Sequence, residues 1–383
     1  MAQVHLIAGT RPEAIKLAPL VPALRDAGLE PFFVASGQHP TMVHQALASF
    51  GMRPDVSLEV VRSTGTQPEL MAGLTLALER LWASPPDAVV VQGDTTTVLA
   101  AAMVAFWAKI PVVHLEAGLR SHDLAAPFPE EGNRRLVGQV ASLHLAPTPA
   151  ARDNLLRENI DTSDVLVTGN TVVDAVLEIS SQNHAIEDPT VAAFVARAEA
   201  RTRRLLLVTV HRRESWGAPL DRVLGAVRRL LDAYPDVEVV LPTHPNPAVG
   251  QQVHAALGGH PRACITPPLD YPVLVRVLAA ATLALSDSGG IQEEAPTFGV
   301  PVLVLREVTE RMEAVDYGCA RLMGTDADAI TAMAARLLDD PAERAAMVSL
   351  GNPFGDGKAA ERSAAGIAWM LGELSSPPVE FGI

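Results

Sequence analysis

Three carboxylates in this chain stand where packing alone explains them poorly. Asp94 follows the apolar run Ala88–Gln92, in Gln92-Gly93-Asp94-Thr95-Thr96-Thr97. Glu116 follows Val112–Leu115, in His114-Leu115-Glu116-Ala117-Gly118-Leu119-Arg120, and Glu130 stands beside Glu131 in the Pro-rich stretch Pro127–Arg135. Each has an ordinary reading. Asp and Thr are favoured helix N-caps, and a Pro-rich loop ending in charges is also a solvent-facing helix start. Yet a charge directly after a buried strand sits badly in a core unless it is paired or functional. Three such sites at successive strand ends converge on one crevice. Carboxylates whose pKa values are set apart by their surroundings are how proteins move protons near neutral pH.

A second group of residues suits an anion. The first apolar run ends in Gly9-Thr10-Arg11-Pro12-Glu13, which places Arg11 at a helix N-terminus. Another run ends in His211-Arg212-Arg213-Glu214-Ser215, a phosphate or leaving-group pattern. In Ser286-Asp287-Ser288-Gly289-Gly290-Ile291-Gln292-Glu293-Glu294 a strand, two glycines and a helix follow in direct succession. There Gly289 and Gly290 let the backbone approach, and unpaired N–H groups face a diphosphate. Neither GxGxxG nor GxxxxGK[ST] is present in good form, and no HExxH or Cys/His spacing suggests zinc, so no cofactor and no metal are expected.

The elements that must position these residues alternate. Val4–Ala8, Pro31–Ala35, Ala88–Gln92, Val112–Leu115, Val165–Thr168, Leu205–Val210, Val237–Leu241, Leu283–Ser286 and Val302–Leu305 read as buried strands. Between them Pro12–Ala27, Leu70–Trp82, Thr96–Trp107, Asp221–Ala233 and Ile291–Thr297 read as helices. The pattern is α/β: right-handed βαβ units, parallel sheets, and ligands beyond the strands' carboxyl ends. At 383 residues the chain exceeds the roughly 250–300 at which one core stops growing. Two Rossmann-like domains facing a central cleft are expected, over 1–170 and 171–359, with a helix in about 360–383 packing back on the first.

A formal charge of −14 disfavours nucleic acid and anionic membrane as partners. Cys264 and Cys319 read as small buried residues. No signal-peptide pattern opens the sequence, and the longest apolar run, Val98 to Ala108, is well short of the ~20 residues of a membrane helix. A cytoplasmic location is expected.

In order along the chain, GTRPEAIKLAPL (9–20), QGDTTT (92–97), HLEAGLRS (114–121), PFPEEGNRRL (127–136), TGNTVVDA (168–175), VTVHRRES (208–215), SDSGGIQEEAP (286–296) and VLREVTERMEAV (304–315) resemble the bacterial non-hydrolysing UDP-N-acetylglucosamine 2-epimerases. The stretch Asn352–Arg362 is similar too. The resemblance implies a glycosyltransferase-B-like fold, usually a homodimer, and interconversion of UDP-GlcNAc and UDP-ManNAc without nicotinamide. UDP is eliminated to a 2-acetamidoglucal intermediate and added back with C2 inverted. By that resemblance Asp94, Glu116 and Glu130 form the acid/base group and His211 assists departure of the diphosphate. Arg11, Lys16, Ser288, Gly289, Gly290 and Arg311 hold the substrate, with Glu294 on the ribose.

Some positions depart from the family pattern. Many members are activated by a second UDP-GlcNAc, bound partly through a Gln-His-Arg loop; here Gln38-His39 is followed by Pro40-Thr41. An acidic residue sometimes found at the position of Arg135 is missing, and Gly65-Thr66-Gln67-Pro68 also differs, while Gln38, Arg212 and His244 remain. Activation by substrate is therefore expected to be altered or absent. The rival readings are a hydrolysing 2-epimerase releasing UDP and ManNAc, a glycosyltransferase of the same fold, and a non-catalytic nucleotide-sugar sensor.

Overall fold

Runs such as Val89-Val90-Val91 and Leu205-Leu206-Leu207-Val208 are wholly buried, as strands of a parallel sheet covered on both faces must be. The computed structural model describes residues 1–182, 184–212 and 215–382, with Pro40 described by its backbone alone. The chain divides into two units, Met1–Glu178 together with Phe354–Ile383, and Ile179–Pro353.

The first unit holds β1 (Gln3–Ala8), β2 (Glu30–Ala35), β3 (Val56–Ser57), β4 (Ala88–Gln92), β5 (Val112–Leu115), β6 (Leu143–Ala146) and β7 (Val165–Val167). They form one parallel sheet in the order β3-β2-β1-β4-β5-β6-β7. The second unit holds β8 (Arg204–Thr209), β9 (Val237–Pro242), β10 (Ala263–Thr266), β11 (Leu283–Ser286), β12 (Val302–Val304) and β13 (Ala320–Leu322), again parallel, in the order β10-β9-β8-β11-β12-β13. Each sheet reverses its winding once, between β1 and β4 and between β8 and β11. Those switch points are where open α/β sheets bind ligands.

Amphipathic helices seal the sheets. Leu70, Leu74 and Leu78, on one stripe of Gln67–Leu81, share a core with Val98, Ala101 and Ala105 of Thr96–Trp107 and with Ile7, Val89 and Val91. In the second unit Leu220, Val223, Leu224, Val227, Leu230 and Leu231 of Ala218–Ala233 cover alternate residues of β8 and β9. The last helix, Ala359–Met370, belongs to the first unit. Asp174 caps it, accepting from the Ala359 and Ala360 N–H groups at 3.2 and 2.8 Å. That cap keeps the start of Thr171–Ser181 in the first unit, so the division falls at 178/179, later than the 170/171 expected from the sequence.

The expected helix Pro12–Ala27 is two helices, Arg11–Leu17 and Leu20–Asp26. Pro19 sits between them, and its ring and missing N–H break the ladder. Ile291–Thr297 is likewise a short α-helix, Gly289–Glu294, followed by a 3-10 turn, Ala295–Phe298. Among the described residues no helix is long and apolar enough to cross a membrane.

Candidate active site

In the first unit β1 runs into a turn that only glycine fits. A Cβ on Gly9 would lie 2.2 Å from Thr97 Oγ1. The following helix begins at Arg11, which is half-buried. Its Glu13 turns back, and Oε2 accepts from the Gly9 and Thr10 N–H groups at 2.6 and 2.8 Å. The other oxygen accepts from Thr95 Oγ1, beyond β4. Burial pushes the Glu13 carboxyl up to about 7, against the hydrogen bonds from Thr95, Gly9 and Thr10 and with help from the nearby charge of Asp94.

One turn further, Lys16 Nζ meets Glu116 Oε1 at 2.5 Å, both side chains nearly buried. Glu116 also accepts from Gln92 Nε2 and, at 3.0 Å, from Asn170 Nδ2. Its φ of +64° is a left-handed conformation that costs a non-glycine residue on the order of 1 kcal/mol or more. A Cβ on Gly93 would lie 3.8 Å from Glu116 Oε2, so this carboxylate rests over the turn that leads to Asp94.

Asp94 itself is gripped by Arg134, whose Nε and a terminal nitrogen stand 2.8 and 2.7 Å from Oδ2. Asn133 Nδ2 donates to the Asp94 carbonyl at 2.8 Å. Beneath the turn, His114 Nε2 lies 2.8 Å from the Gly93 carbonyl oxygen and therefore carries its proton there. His114 pairs in register with His144, and the Nδ1 atoms of both are buried without a hydrogen-bond partner. Burial pushes these imidazoles down to about 4 and about 3, with Arg120 adding to both and Arg134 to His114.

The adjacent acids Glu130 and Glu131 differ completely. Glu131 is fully buried and accepts from the Ser121 and His122 N–H groups, Arg134 and Arg135. Burial alone would raise its pKa, but those donors and cations hold it below the ordinary value. The side chain of Glu130, the first residue of Glu130–Val140, has no hydrogen-bond or ion-pair partner among the described residues.

At the second unit's switch point, His211 follows β8 and Asp287 follows β11. Their contact is His211 Nδ1 to Asp287 Oδ1, 3.1 Å. Ser288 occupies the N-cap position of Gly289–Glu294 without a side-chain capping bond, and its N–H donates to Ser286 Oγ at 3.0 Å. A Cβ on Gly289 would lie 2.9 Å from Cζ of Arg311, so the guanidinium packs flat on this turn. Glu293 accepts from Arg311 Nε at 2.9 Å, and Glu310 stands 3.5 Å from another Arg311 nitrogen. Gly290 lies close to Glu294, which is nearly buried and accepts from Tyr271 Oη at 3.4 Å.

Of the expected effector residues, Gln38 and the exposed His39 lie in the first unit, and Arg212 and His244 in the second. Gln38 Oε1 accepts from Thr97 Oγ1 at 2.7 Å. His244 Nδ1 accepts from the Asn246 N–H at 3.0 Å, with Trp216 tilted 5.1 Å away. Arg213 and Glu214 of the His211–Ser215 segment lie outside the described residues.

The first unit thus brings Glu116 together with Lys16, and Asp94 together with the helix that begins at Glu130. The second brings Ser288, Gly289, Gly290, Glu294 and Arg311 together around one helix start. Glu13, Gln92, Arg134, Asn170, Tyr271 and Asp287 escaped the sequence reading as site residues. All but Tyr271 stood inside motifs already singled out, which was the signal available.

Two parallel units wound about switch points lined with ionisable residues define the glycosyltransferase-B-like class of α/β proteins. A family model described as UDP-N-acetylglucosamine 2-epimerase matches residues 23–368. A Yersinia pestis protein named UDP-N-acetylglucosamine 2-epimerase is 42% identical, over 94% of this chain and 96% of its own. Among solved structures, an S. aureus MnaA–UDP co-structure is 39% identical over 100% of both chains, with a TM-score of 0.91. UDP-GlcNAc 2-epimerase from Neisseria meningitidis bound to UDP-GlcNAc is 35% identical, covers 97% of this chain and 100% of its own, and has a TM-score of 0.87. The chain belongs to the UDP-N-acetylglucosamine 2-epimerase family.

Proposed function

We propose that the protein interconverts UDP-GlcNAc and UDP-ManNAc without hydrolysis. The observation that carries this reading is the inequality of the three carboxylates. Asp94 is held by Arg134 and Glu116 by Lys16, whereas Glu130 is uncommitted. Inversion at C2 needs a proton taken from one face and returned to the other, and a set of carboxylates in unlike surroundings suits that task.

A carboxylate takes the C2 proton. The electrons of that C–H bond form the C1–C2 double bond of 2-acetamidoglucal, and the C1–O bond breaks toward UDP. Re-addition reverses these steps, with the proton delivered to the opposite face. By the resemblance His211 stabilises the departing diphosphate, which Ser288, Gly289, Gly290 and Arg311 hold, Glu294 takes the ribose hydroxyls, and Arg11 is a substrate-binding residue of the first unit. Lys16 orients Glu116 beside the sugar. Fixed donors aimed at developing charge are the largest contribution such a site can make. The relatives' complexes with UDP and with UDP-GlcNAc support this choice of ligand. By the same resemblance we take the enzyme to be a cytoplasmic homodimer that works without cofactor or metal.

Proton NMR of the protein with UDP-GlcNAc in deuterated water tests the reading. UDP-ManNAc carrying deuterium at C2 is the expected product. Free UDP with free ManNAc would replace it by the hydrolysing reaction, and no turnover would point to a glycosyl acceptor.

A further inference from the structure

We infer that Asp287 is a positioning residue that holds the His211 imidazole in one tautomer, with its Nε2 edge turned to the leaving diphosphate. Strands β8 and β11 are neighbours at the second unit's switch point, so the residues just beyond their ends meet. Beneath them Thr209 Oγ1 and Ser286 Oγ lie 2.6 Å apart.

Asp287 is completely buried, yet it sits against a histidine side chain that is 48% exposed. Its carboxylate accepts from the His211 N–H at 3.1 and 3.2 Å and from the Arg212 N–H at 2.9 Å. Those bonds fix the backbone and by themselves describe a structural aspartate. The contact with His211 Nδ1 goes further, because an ionised carboxylate only accepts. A lone pair at Nδ1 would face a carboxylate oxygen 3.1 Å away, so a hydrogen at Nδ1 is favoured. The neutral ring then has its lone pair at Nε2, and the protonated ring carries hydrogen on both nitrogens. Arg212 also reaches the pair, its Nε donating to the Asp287 carbonyl at 3.2 Å.

When the C1–O bond breaks, its electron pair leaves on the diphosphate. An imidazolium N–H donating to that oxygen stabilises the charge, and the buried Asp287 stabilises the imidazolium. Aspartate does not touch the sugar nucleotide in this arrangement. It acts through histidine.

The inference rests on His211 serving the leaving group, and the test separates the two claims. Long-range 15N–1H correlation of the wild-type protein should show hydrogen on His211 Nδ1. In Asp287→Asn the side-chain amide donates to Nδ1, so the hydrogen should move to Nε2. With UDP-GlcNAc, Asp287→Asn should lower kcat by about 100-fold or more and change KM by no more than a few-fold. In a His211→Asn background it should add little further loss. Hydrogen on Nε2 with none on Nδ1 in the wild type, wild-type kcat in Asp287→Asn, or an undiminished loss in the His211→Asn background would each overturn the inference. A wild-type rate in His211→Asn alone would instead remove the leaving-group role and leave the tautomer standing. If Asp287→Asn does not fold, the wild-type tautomer still decides.

Discussion

Arg134 grips Asp94 through two nitrogens while another of its nitrogens lies 3.2 Å from buried Glu131, so a single guanidinium joins the β4 turn to the helix that carries Glu130. Lysine carries the charge but cannot form this fork. Arg134→Lys should therefore lower kcat by about 10-fold or more, measured by NMR progress curves. Arg134→Met strips Asp94 of its cation and leaves Glu131 with Arg135 alone, so it should lower the urea unfolding midpoint.

Neighbouring acids should fail in different ways. Glu130→Gln is expected to lose about 100-fold or more in kcat while keeping the wild-type unfolding midpoint, because Glu130 has no partner to lose. Glu131→Gln should instead lower the midpoint, since it weakens a buried set of two backbone donors and two arginines. Parallel midpoint shifts in the two variants would contradict this division.

Glu13 makes stability depend on pH with a definite sign. Its carboxyl is raised to about 7 in the folded chain from an ordinary 4.5, so the folded state binds the extra proton between those values. The stability this proton supplies is complete below about pH 4.5 and is lost as pH rises through 7. Glu13→Gln removes the titration. Its stability relative to wild type should therefore increase by up to about 3 kcal/mol from pH 4.5 to 7.5, read from urea midpoints at each pH.

His114 and His144 titrate in the opposite sense. Both are held neutral, at about 4 and about 3 against an ordinary 6.5. The unfolded chain therefore binds protons that the fold refuses, and stability should fall as pH drops from about 6.5 through 4. Imidazole C2–H resonances that move with pH near 6.5 in the native protein would contradict this.

Substrate activation should be altered or absent. Gln38, expected from the family pattern to meet an effector, already accepts from Thr97, and Pro40-Thr41 replaces the usual continuation of that loop. UDP-ManNAc should turn over without added UDP-GlcNAc, along a hyperbolic saturation curve. Sigmoidal kinetics or a strict need for trace UDP-GlcNAc would refute the expectation.

The nine apolar strands could be read from the sequence because burial on both faces writes an uninterrupted run. Val56–Ser57, Leu143–Ala146, Ala263–Thr266 and Ala320–Leu322 could not. The first is two residues long, Leu143–Ala146 is interrupted by a buried histidine, Ala320–Leu322 by Arg321, and Ala263–Thr266 is buried only at alternate residues. The acids after strands were visible by residue type. Their partners were not, since Lys16 and Glu116 are 100 residues apart in sequence and Arg134 and Asp94 are 40 apart. Nor does the dipeptide Glu130-Glu131 say which acid is buried. That depends on which side of the helix start faces Ser121 and Arg134.

The chain leaves the first unit at Glu178 and returns to it at Phe354, so its order of synthesis differs from its order of packing. A ribosome delivers β1 to β7 first, then the whole second unit, and only afterwards the helix Ala359–Met370, whose Gly366 fits so tightly that a Cβ there would lie 2.8 Å from Leu166 Cδ1. Until that helix emerges, the surface around β6 and β7 that it covers stays open to water, and Asp174 lacks the N–H groups it caps. Domains otherwise fold from the N-terminal end as they are made. Here the unit begun first is finished last, and a nascent chain stopped before residue 354 would carry a completed second unit on an unsealed first one.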